Sequence, residues 1–237
     1  MIPPVVILAG GLATRLYPTT LTRPKSLVEV AGYPFIYHQL KLLKEKGVKE
    51  VVLCVGKYGD LIIDYVGDGE QWGINVQYSR DGPSLLGTGG AIKNALALVP
   101  DNFMIMYGDS YLDTDFSAVS DTFTREKLPV LMTIYHNTDR YDKSNISMKN
   151  GKIVKYDKIN RNPEMEFIDY GLMVVRKEIF GPCPPDIPFD LSVVLSEMVE
   201  KGLVAAFVVP TRFYEIGSPA GIDETGQYIC NRKKNNN

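Results

Sequence analysis

Apolar residues in the first half of the chain fall into short runs separated by stretches with helical spacing. Val5 to Leu8, Val51 to Val55, Ile74 to Tyr78 and Phe103 to Tyr107 read as strands. The last is almost wholly apolar, which predicts a central place in a parallel sheet covered on both faces. Between them, Phe35 to Lys46 has a helical period and stops at Gly47. Asp60 to Val66 predicts a short helix, and Gly89 opens a helix through Leu98 that Pro100 ends. This alternation predicts an α/β fold with a doubly wound, Rossmann-like sheet and right-handed crossovers.

The second half is less regular. Val130 to Tyr135, Ile146 to Met148, Lys152 to Tyr156 and Phe167 to Val175 read as strands, with Asn150-Gly151 a hairpin signal between two of them. Asp115 reads as the N-cap of a following helix. Leu191 to Glu200 and Ala220 to Cys230 look helical. No linker or repeat divides the chain, so one domain over residues 1–231 with a mixed sheet is expected. The polar end, 232–237, reads as a disordered tail.

Composition narrows the class. The 237 residues are 45% hydrophobic and 23% charged, with a net charge of −2. That is the profile of an ordinary globular protein, with no basic field to hold nucleic acid. The N-terminal apolar run is too short to span a bilayer and reads as a first strand, so no membrane partner is expected. Cys54, Cys183 and Cys230 suit neither a disulfide framework nor a zinc site; reduced thiols in a cytoplasmic protein are the simplest reading. His38 and His136 show no partner spacing, and Trp72 reads as a packing residue.

The densest candidate chemistry follows the first strand, in Leu8-Ala-Gly-Gly-Leu-Ala-Thr-Arg-Leu16 and then Pro24-Lys25. Adjacent glycines after a strand let the backbone turn and approach a ligand, and the amides of such a turn form an anion-binding concavity. Arg15 and Lys25 add cations, so the segment describes a polyphosphate site. No Gly-Lys-Ser/Thr follows as in a P-loop, and the glycines are not spaced as G-x-G-x-x-G. Glu29 keeps a dinucleotide reading open, and a purely structural turn is the plain alternative. Gly87-Thr-Gly-Gly90 is a second flexible segment leading into a helix, where either ligand contact or tight packing explains the glycines. Asp109, after the most apolar strand, falls where open α/β sheets bind ligands. A carboxylate beside an incoming triphosphate calls for a cation between them, and Mg²⁺ suits oxygen ligands.

The run LAGGLATRLYPTTLTRPKSLVEVAGYPFI resembles the N-terminal signature of the sugar-1-phosphate nucleotidylyltransferases, GGxGTRLxPxTxxxPKxxxxxxGxP, with Ala13 in place of a glycine. Leu86-Gly-Thr-Gly-Gly-Ala-Ile92, Tyr107-Gly-Asp109, Tyr156-Asp-Lys158, Asp169-Tyr-Gly171 and Tyr214-Glu-Ile-Gly-Ser-Pro219 are similar to later family segments in the same order. The resemblance implies a nucleotidyltransferase (GT-A-like) fold and transfer from a nucleoside triphosphate to a sugar 1-phosphate with release of pyrophosphate. It implies nucleotide contacts at Leu8, Ala9, Gly10, Gly11, Thr14, Gly87, Thr88 and Gly89, and catalytic roles for Arg15, Lys25, Asp109 and Lys158. Sugar contacts fall on Gly108, Asp169, Tyr170 and Gly171, and Mg²⁺ on Asp109 and Glu215. Asp169 and Glu215 depart from the family's Asn and Asp.

Among short members the chain looks most like the heptose 1-phosphate guanylyltransferase group, which implies a guanylyltransferase of a bacterial surface-sugar pathway. A uridylyl- or cytidylyltransferase of another sugar 1-phosphate or of phosphocholine stays open, as does an inactive nucleotide-sugar-binding regulator on the same fold. A dinucleotide-dependent oxidoreductase is the remaining alternative. Assembly into a homo-oligomer is left open.

Overall fold

The computed structural model describes residues 1–11, 22–82, 84–184 and 187–235. Among them the chain runs β1 (Val5–Leu8), β2 (Glu29–Val30), β3 (Tyr33–Pro34), α1 (Phe35–Glu45), β4 (Glu50–Val55), α2 (Gly59–Val66), β5 (Asn75–Arg80), α3 (Gly87–Ala95) and β6 (Asn102–Tyr107). It continues through β7 (Ser110–Tyr111), α4 (Phe116–Glu126), β8 (Val130–His136), β9 (Ile146–Lys149), β10 (Lys152–Tyr156), β11 (Phe167–Arg176), α5 (Leu191–Glu200), β12 (Val204–Val208), β13 (Tyr214–Glu215) and α6 (Pro219–Asn235).

The expected doubly wound mixed sheet forms. β1 lies between β4 and β6, parallel to both, and β5 extends the parallel half beyond β4. β11 then runs antiparallel to β6 and to β8, and the β9–β10 hairpin joins at the start of β11. Burial on both faces explains the apolar run in β1. Val5 and Ile7 pack with Ile36, Leu40 and Leu43 of α1 and with Val119 of α4. Val6 faces the other way, onto Ile92 of α3 and Leu195 of α5. Asn150 and Gly151 both take positive φ, 52° and 75°, as the tight hairpin requires. Asp115 caps α4 by accepting from Ala118 N–H. Trp72 donates to the Val66 carbonyl and packs against Tyr37 and Tyr65.

Several short elements escaped the pattern, among them the two-residue pair β2–β3. β12 runs parallel to β8 from an alanine-containing segment of weaker strand propensity. The two-residue ribbon β7–β13 is too short to show any period.

The tail boundary at 231 needs correction, because α6 continues through Asn235. Arg232 is held there. Its Nε donates to Asp113 Oδ2 at 2.5 Å and its Nη1 to Glu45 Oε2 at 2.7 Å. Lys46 reaches the other Asp113 oxygen at 2.6 Å, and Tyr228 donates to Oδ2 at 3.1 Å. Below this network Val30, Phe35, Leu42, Tyr111, Ile216 and Ile229 form a small apolar cluster between α1, α6 and the ribbon. Burial opposes the charged form of Asp113, but hydrogen bonds from Lys46 and Arg232 and their charges outweigh it and hold the carboxyl below its ordinary value.

Arg232→Ala is expected to cost about 1–3 kcal/mol in a urea melt at neutral pH, because it removes a mostly buried charged donor. The depressed folded-state value of Asp113 makes the increment fully present above the unfolded-state value. The difference between variant and parent should therefore shrink as pH falls through the folded-state value. A constant difference down to strong acid would assign the stability to packing instead.

Candidate active site

A cleft of about 550 Å³ opens at the ends of β1 and β6. Its wall gathers Leu8, Ala9, Gly10, Gly11, Lys25, Gly87, Thr88, Gly108, Asp109, Lys158, Asp169, Tyr170 and Glu215 from segments far apart in sequence. Thr14 and Arg15 lie outside the described residues, as does Ala13.

Backbone contact sets the geometry. A Cβ on Gly108 would lie 2.2 Å from the Leu8 carbonyl oxygen, so only glycine lets the chain leave β6 tight against the end of β1. A Cβ on Gly10 would come within 3.2 Å of Gly56 N, and one on Gly56 within 2.8 Å of Gly10 O. The start of the glycine loop is thus pinned between two neighbouring strand ends.

Asp109 follows Gly108 immediately. Lys25, from a short 3₁₀ turn, places Nζ 2.7 Å from Asp109 Oδ2, with both side chains partly shielded from solvent. Gln39 of α1 donates from Nε2 to the Ser110 carbonyl at 2.9 Å and to the Tyr107 carbonyl at 3.4 Å, straddling the Gly108–Asp109 turn. Across the ribbon Glu215 pairs in register with Ser110, and Ile216 N–H donates to the Asp109 carbonyl at 3.0 Å. The backbone segments that carry these two carboxylates, more than a hundred residues apart, are therefore neighbours, and both residues line the cleft. No group of three His, Cys, Asp or Glu side chains suited to a metal occurs among the described residues. Mg²⁺ usually takes one or two carboxylates and completes its shell with water and phosphate oxygens, so the Asp109–Glu215 pair fits that ion.

The second glycine segment divides. Gly87 and Thr88 line the cleft, but Gly89 does not. The Phe189 carbonyl accepts from Gly89 N–H at 2.9 Å and from Gly90 N–H at 3.4 Å, and a Cβ on Gly89 would lie 2.2 Å from the Phe189 ring. The Gly89 and Gly90 amides are satisfied by the chain itself, so close packing explains Gly89. Thr88 Oγ1 accepts from Leu191 N–H at 2.8 Å, tying α3 to the start of α5.

Asp169 also differs from expectation. Its Oδ2 accepts from the Tyr107 hydroxyl at 2.7 Å and the Tyr156 hydroxyl at 3.1 Å, and its Oδ1 from Gly171 N–H at 3.0 Å. Both oxygens already have protein donors, which leaves the carboxylate little capacity for a sugar hydroxyl. Gly171, at φ 96°, sits where the pairing of β11 with β8 shifts, under the Tyr107 ring and off the cleft wall. Lys158 Nζ donates to the Tyr107 hydroxyl at 3.0 Å and approaches Asp169 Oδ2 at 4.0 Å.

Several cleft residues carried no sequence signal. Asp81 follows β5, with Oδ2 accepting from Leu86 N–H at 3.4 Å and lying 3.5 Å from where a Gly10 Cβ would stand. Burial raises its pKa, and the Leu86 bond offsets only part of that. Asn145, Lys143 and Arg161 line the end of the cleft near Lys158. Tyr107 was visible only as the polar end of an apolar run and the first residue of the Tyr107-Gly-Asp109 segment, with no role of its own.

The model of the nucleotidyl transferase family matches residues 4–145 of this chain. The chain belongs to that family. The nucleotidyl transferase is 30% identical over 214 residues to D-glycero-alpha-D-manno-heptose 1-phosphate guanylyltransferase of Campylobacter jejuni, covering 90% of this chain and 94% of that one. It is 27% identical over 228 residues to the N-acetylmuramate alpha-1-phosphate uridylyltransferase of Caulobacter vibrioides, covering 90% and 91% of the two chains. Among solved structures, HddC from Yersinia pseudotuberculosis complexed with GMP-PN superposes with a TM-score of 0.80 at 27% identity, over 96% of this chain and 99% of that one. The enzyme class and fold expected from the sequence are borne out. The nucleotide is not decided, because relatives with different bases match. No helix among the described residues is long and apolar enough to cross a membrane.

Gln39→Met keeps the volume near the Asp109 turn but removes the donor shared by two backbone carbonyls. It is expected to destabilise the nucleotidyl transferase by about 1–3 kcal/mol in chemical denaturation. An unchanged midpoint would show that the turn holds without the amide.

Proposed function

We propose that this nucleotidyl transferase moves a guanylyl group from GTP to a heptose or related sugar 1-phosphate and releases pyrophosphate. The observation that carries the transfer is the meeting, in one cleft, of the glycine loop, the Lys25–Asp109 pair with Glu215, and Lys158. One end offers amides and a cation to a triphosphate, and the other offers a second cation to a second phosphate. An oxygen of the sugar phosphate attacks the α-phosphorus in line. The new P–O bond forms as the bond between the α-phosphorus and its bridging oxygen breaks, and that oxygen leaves with pyrophosphate. Such a reaction asks for positioning and charge stabilisation more than for covalent help from the protein. Lys25 neutralises phosphate charge and Lys158 orients the attacking phosphate, while the amides near Gly10 and Gly11 cradle the nucleotide. Arg15 is assigned to the triphosphate on its place in the family signature. Mg²⁺, held by Asp109 and Glu215, would supply further charge neutralisation at the phosphates.

Asp81 favours guanine. No ion pair to it is formed among the described residues, so it is a poor neighbour for a triphosphate, and the base is the part of the nucleotide that presents N–H groups. Guanine offers two adjacent donors, N1–H and the 2-amino group, which one carboxylate can accept together. Uracil flanks its single N–H with two carbonyls, and cytosine sets a ring acceptor beside its amine. Both would place an acceptor against Asp81. The guanylyltransferase from Campylobacter and the GMP-PN complex of the Yersinia protein support the same choice.

A pyrophosphate-release assay with four nucleoside triphosphates, several sugar 1-phosphates and Mg²⁺ tests the reading. Release is expected with GTP, and Lys25→Ala and Asp109→Ala should each lower turnover by orders of magnitude while staying folded. A folded Asp109→Ala enzyme with normal turnover would sink the metal assignment. Nucleotide binding without pyrophosphate release from any pair would instead favour a regulator. Asp81→Asn should lower kcat/KM for GTP by about 10- to 100-fold, the cost of losing a charged acceptor. A GTP preference unchanged in Asp81→Asn would remove this residue from base selection.

A further inference from the structure

The two tyrosines around Asp169 have no assigned part in the reaction. Tyr156 is buried at the end of β10, and Tyr107 is half-buried at the end of β6. Their hydroxyls converge on the same oxygen of Asp169. A carboxylate accepts but does not donate, so both phenolic protons are committed to it. The remaining acceptor capacity of the Tyr107 oxygen faces Lys158, whose ammonium donates to it at 3.0 Å. That ammonium also lies 4.8 Å from the centre of the Tyr107 ring and 5.9 Å from that of Tyr156. The ring faces and the hydroxyl therefore attract one cation from two directions.

Lysine side chains have four rotatable bonds, and an exposed one samples many rotamers. Lys158 remains more than one-third exposed, at 37% of its side chain, yet has one charge-assisted bond and two aromatic neighbours. A cation held before the ligand arrives loses less freedom on binding it, which strengthens the bound state without any new contact.

We propose that Tyr107, oriented by Asp169, is a positioning residue that pre-sets the Lys158 ammonium for the phosphate of the sugar substrate. The chain Asp169–Tyr107–Lys158 gives the aspartate a role that asparagine at this position would perform poorly. An amide has half the acceptor capacity, lacks the charge, and can itself donate to a phenolic oxygen. The inference rests on the assignment of Lys158 to the sugar phosphate.

Two measurements test it. The first needs no substrate: the rate at which an amine-acylating reagent modifies Lys158, read by mass spectrometry. Tyr107→Phe keeps the ring and removes the hydroxyl, and Asp169→Asn removes the charge that orients it. Each should raise the Lys158 rate several-fold while other lysines keep theirs. An unchanged or slower rate in both folded variants overturns the positioning. The second measurement is a double-mutant cycle on kcat/KM for the sugar phosphate. Tyr107→Phe should lower it about tenfold through KM, but have less than about a twofold effect in a Lys158→Met background. A purely structural role for the hydroxyl would cost the same in both backgrounds and would overturn the proposal, as would a Lys158→Met enzyme with parental kinetics. If the parent protein releases pyrophosphate with no substrate pair, the functional reading fails, and the labelling rates alone still decide whether Tyr107 holds Lys158.

Discussion

The Leu8 carbonyl against the Cα of Gly108 is the contact on which the site depends. β1 and β6 are parallel neighbours, and both chains leave the sheet at the same end. With no side chain at Gly108, the two departing segments run in backbone contact, so the glycine loop and Asp109 emerge side by side. Any larger residue would separate them by several tenths of an ångström or more. Distances of that size matter for a reaction that relies on positioning. The Gly10–Gly56 approach does the same on the other flank, fixing the loop against the end of β4. Both constraints are local, but they are useful only because the apolar runs of β1, β4 and β6 are largely buried and hold a common register.

Charge inside the cleft follows from partial burial. A carboxylate removed from water needs a cation, a set of donors or a raised pKa. Asp109 takes the first solution with Lys25, and Asp169 takes the second with two phenols and an amide. Asp81 shows the third, with a single long backbone bond and a pKa raised by burial. The three carboxylates therefore differ in what they can still offer a ligand. Asp109 can exchange its lysine for another cation, Asp169 has little left to give, and Asp81 still has capacity for donors. The same residue type thus serves charge neutralisation, internal bracing and base selection in the functional reading advanced above.

The parallel half of the fold was legible because burial on both faces writes itself as uninterrupted apolar runs, with Gly47 marking the end of α1, and the antiparallel β9–β10 hairpin was legible from Asn150-Gly151. β12 was hidden by two alanines, and the β7–β13 ribbon by its length. The far end of α6 was hidden for another reason. Arg232 reads as part of a polar tail until Asp113 and Glu45, remote in sequence, are seen to meet it. Within the cleft, the residues that could be named in advance belong to contiguous motifs, such as Gly10-Gly11 and Gly108-Asp109. Asp81, Asn145 and Arg161 belong to none, and their place depends on how loops meet over the sheet. Gly89 stayed ambiguous because one sequence pattern satisfies two demands, open amides and close packing. Only the position of the Phe189 carbonyl separates them.

The departures from the family pattern at Asp169 and Glu215 have different physical consequences. Glu215 keeps the charge of an aspartate and adds one methylene, and it pairs with Ser110, so the register does not place it directly opposite Asp109. Asp169 is a change of charge, and an isolated carboxylate that is 8% exposed would be costly. It is tolerable here because Tyr107, Tyr156 and Gly171 N–H supply three donors, with the Lys158 ammonium at the edge of the group. Removing the donors one at a time leaves the charge progressively less satisfied, whereas exchanging the whole set for apolar side chains would leave no buried charge to satisfy. The four side chains are therefore coupled, and a substitution at any one of them has a meaning only in the presence of the other three.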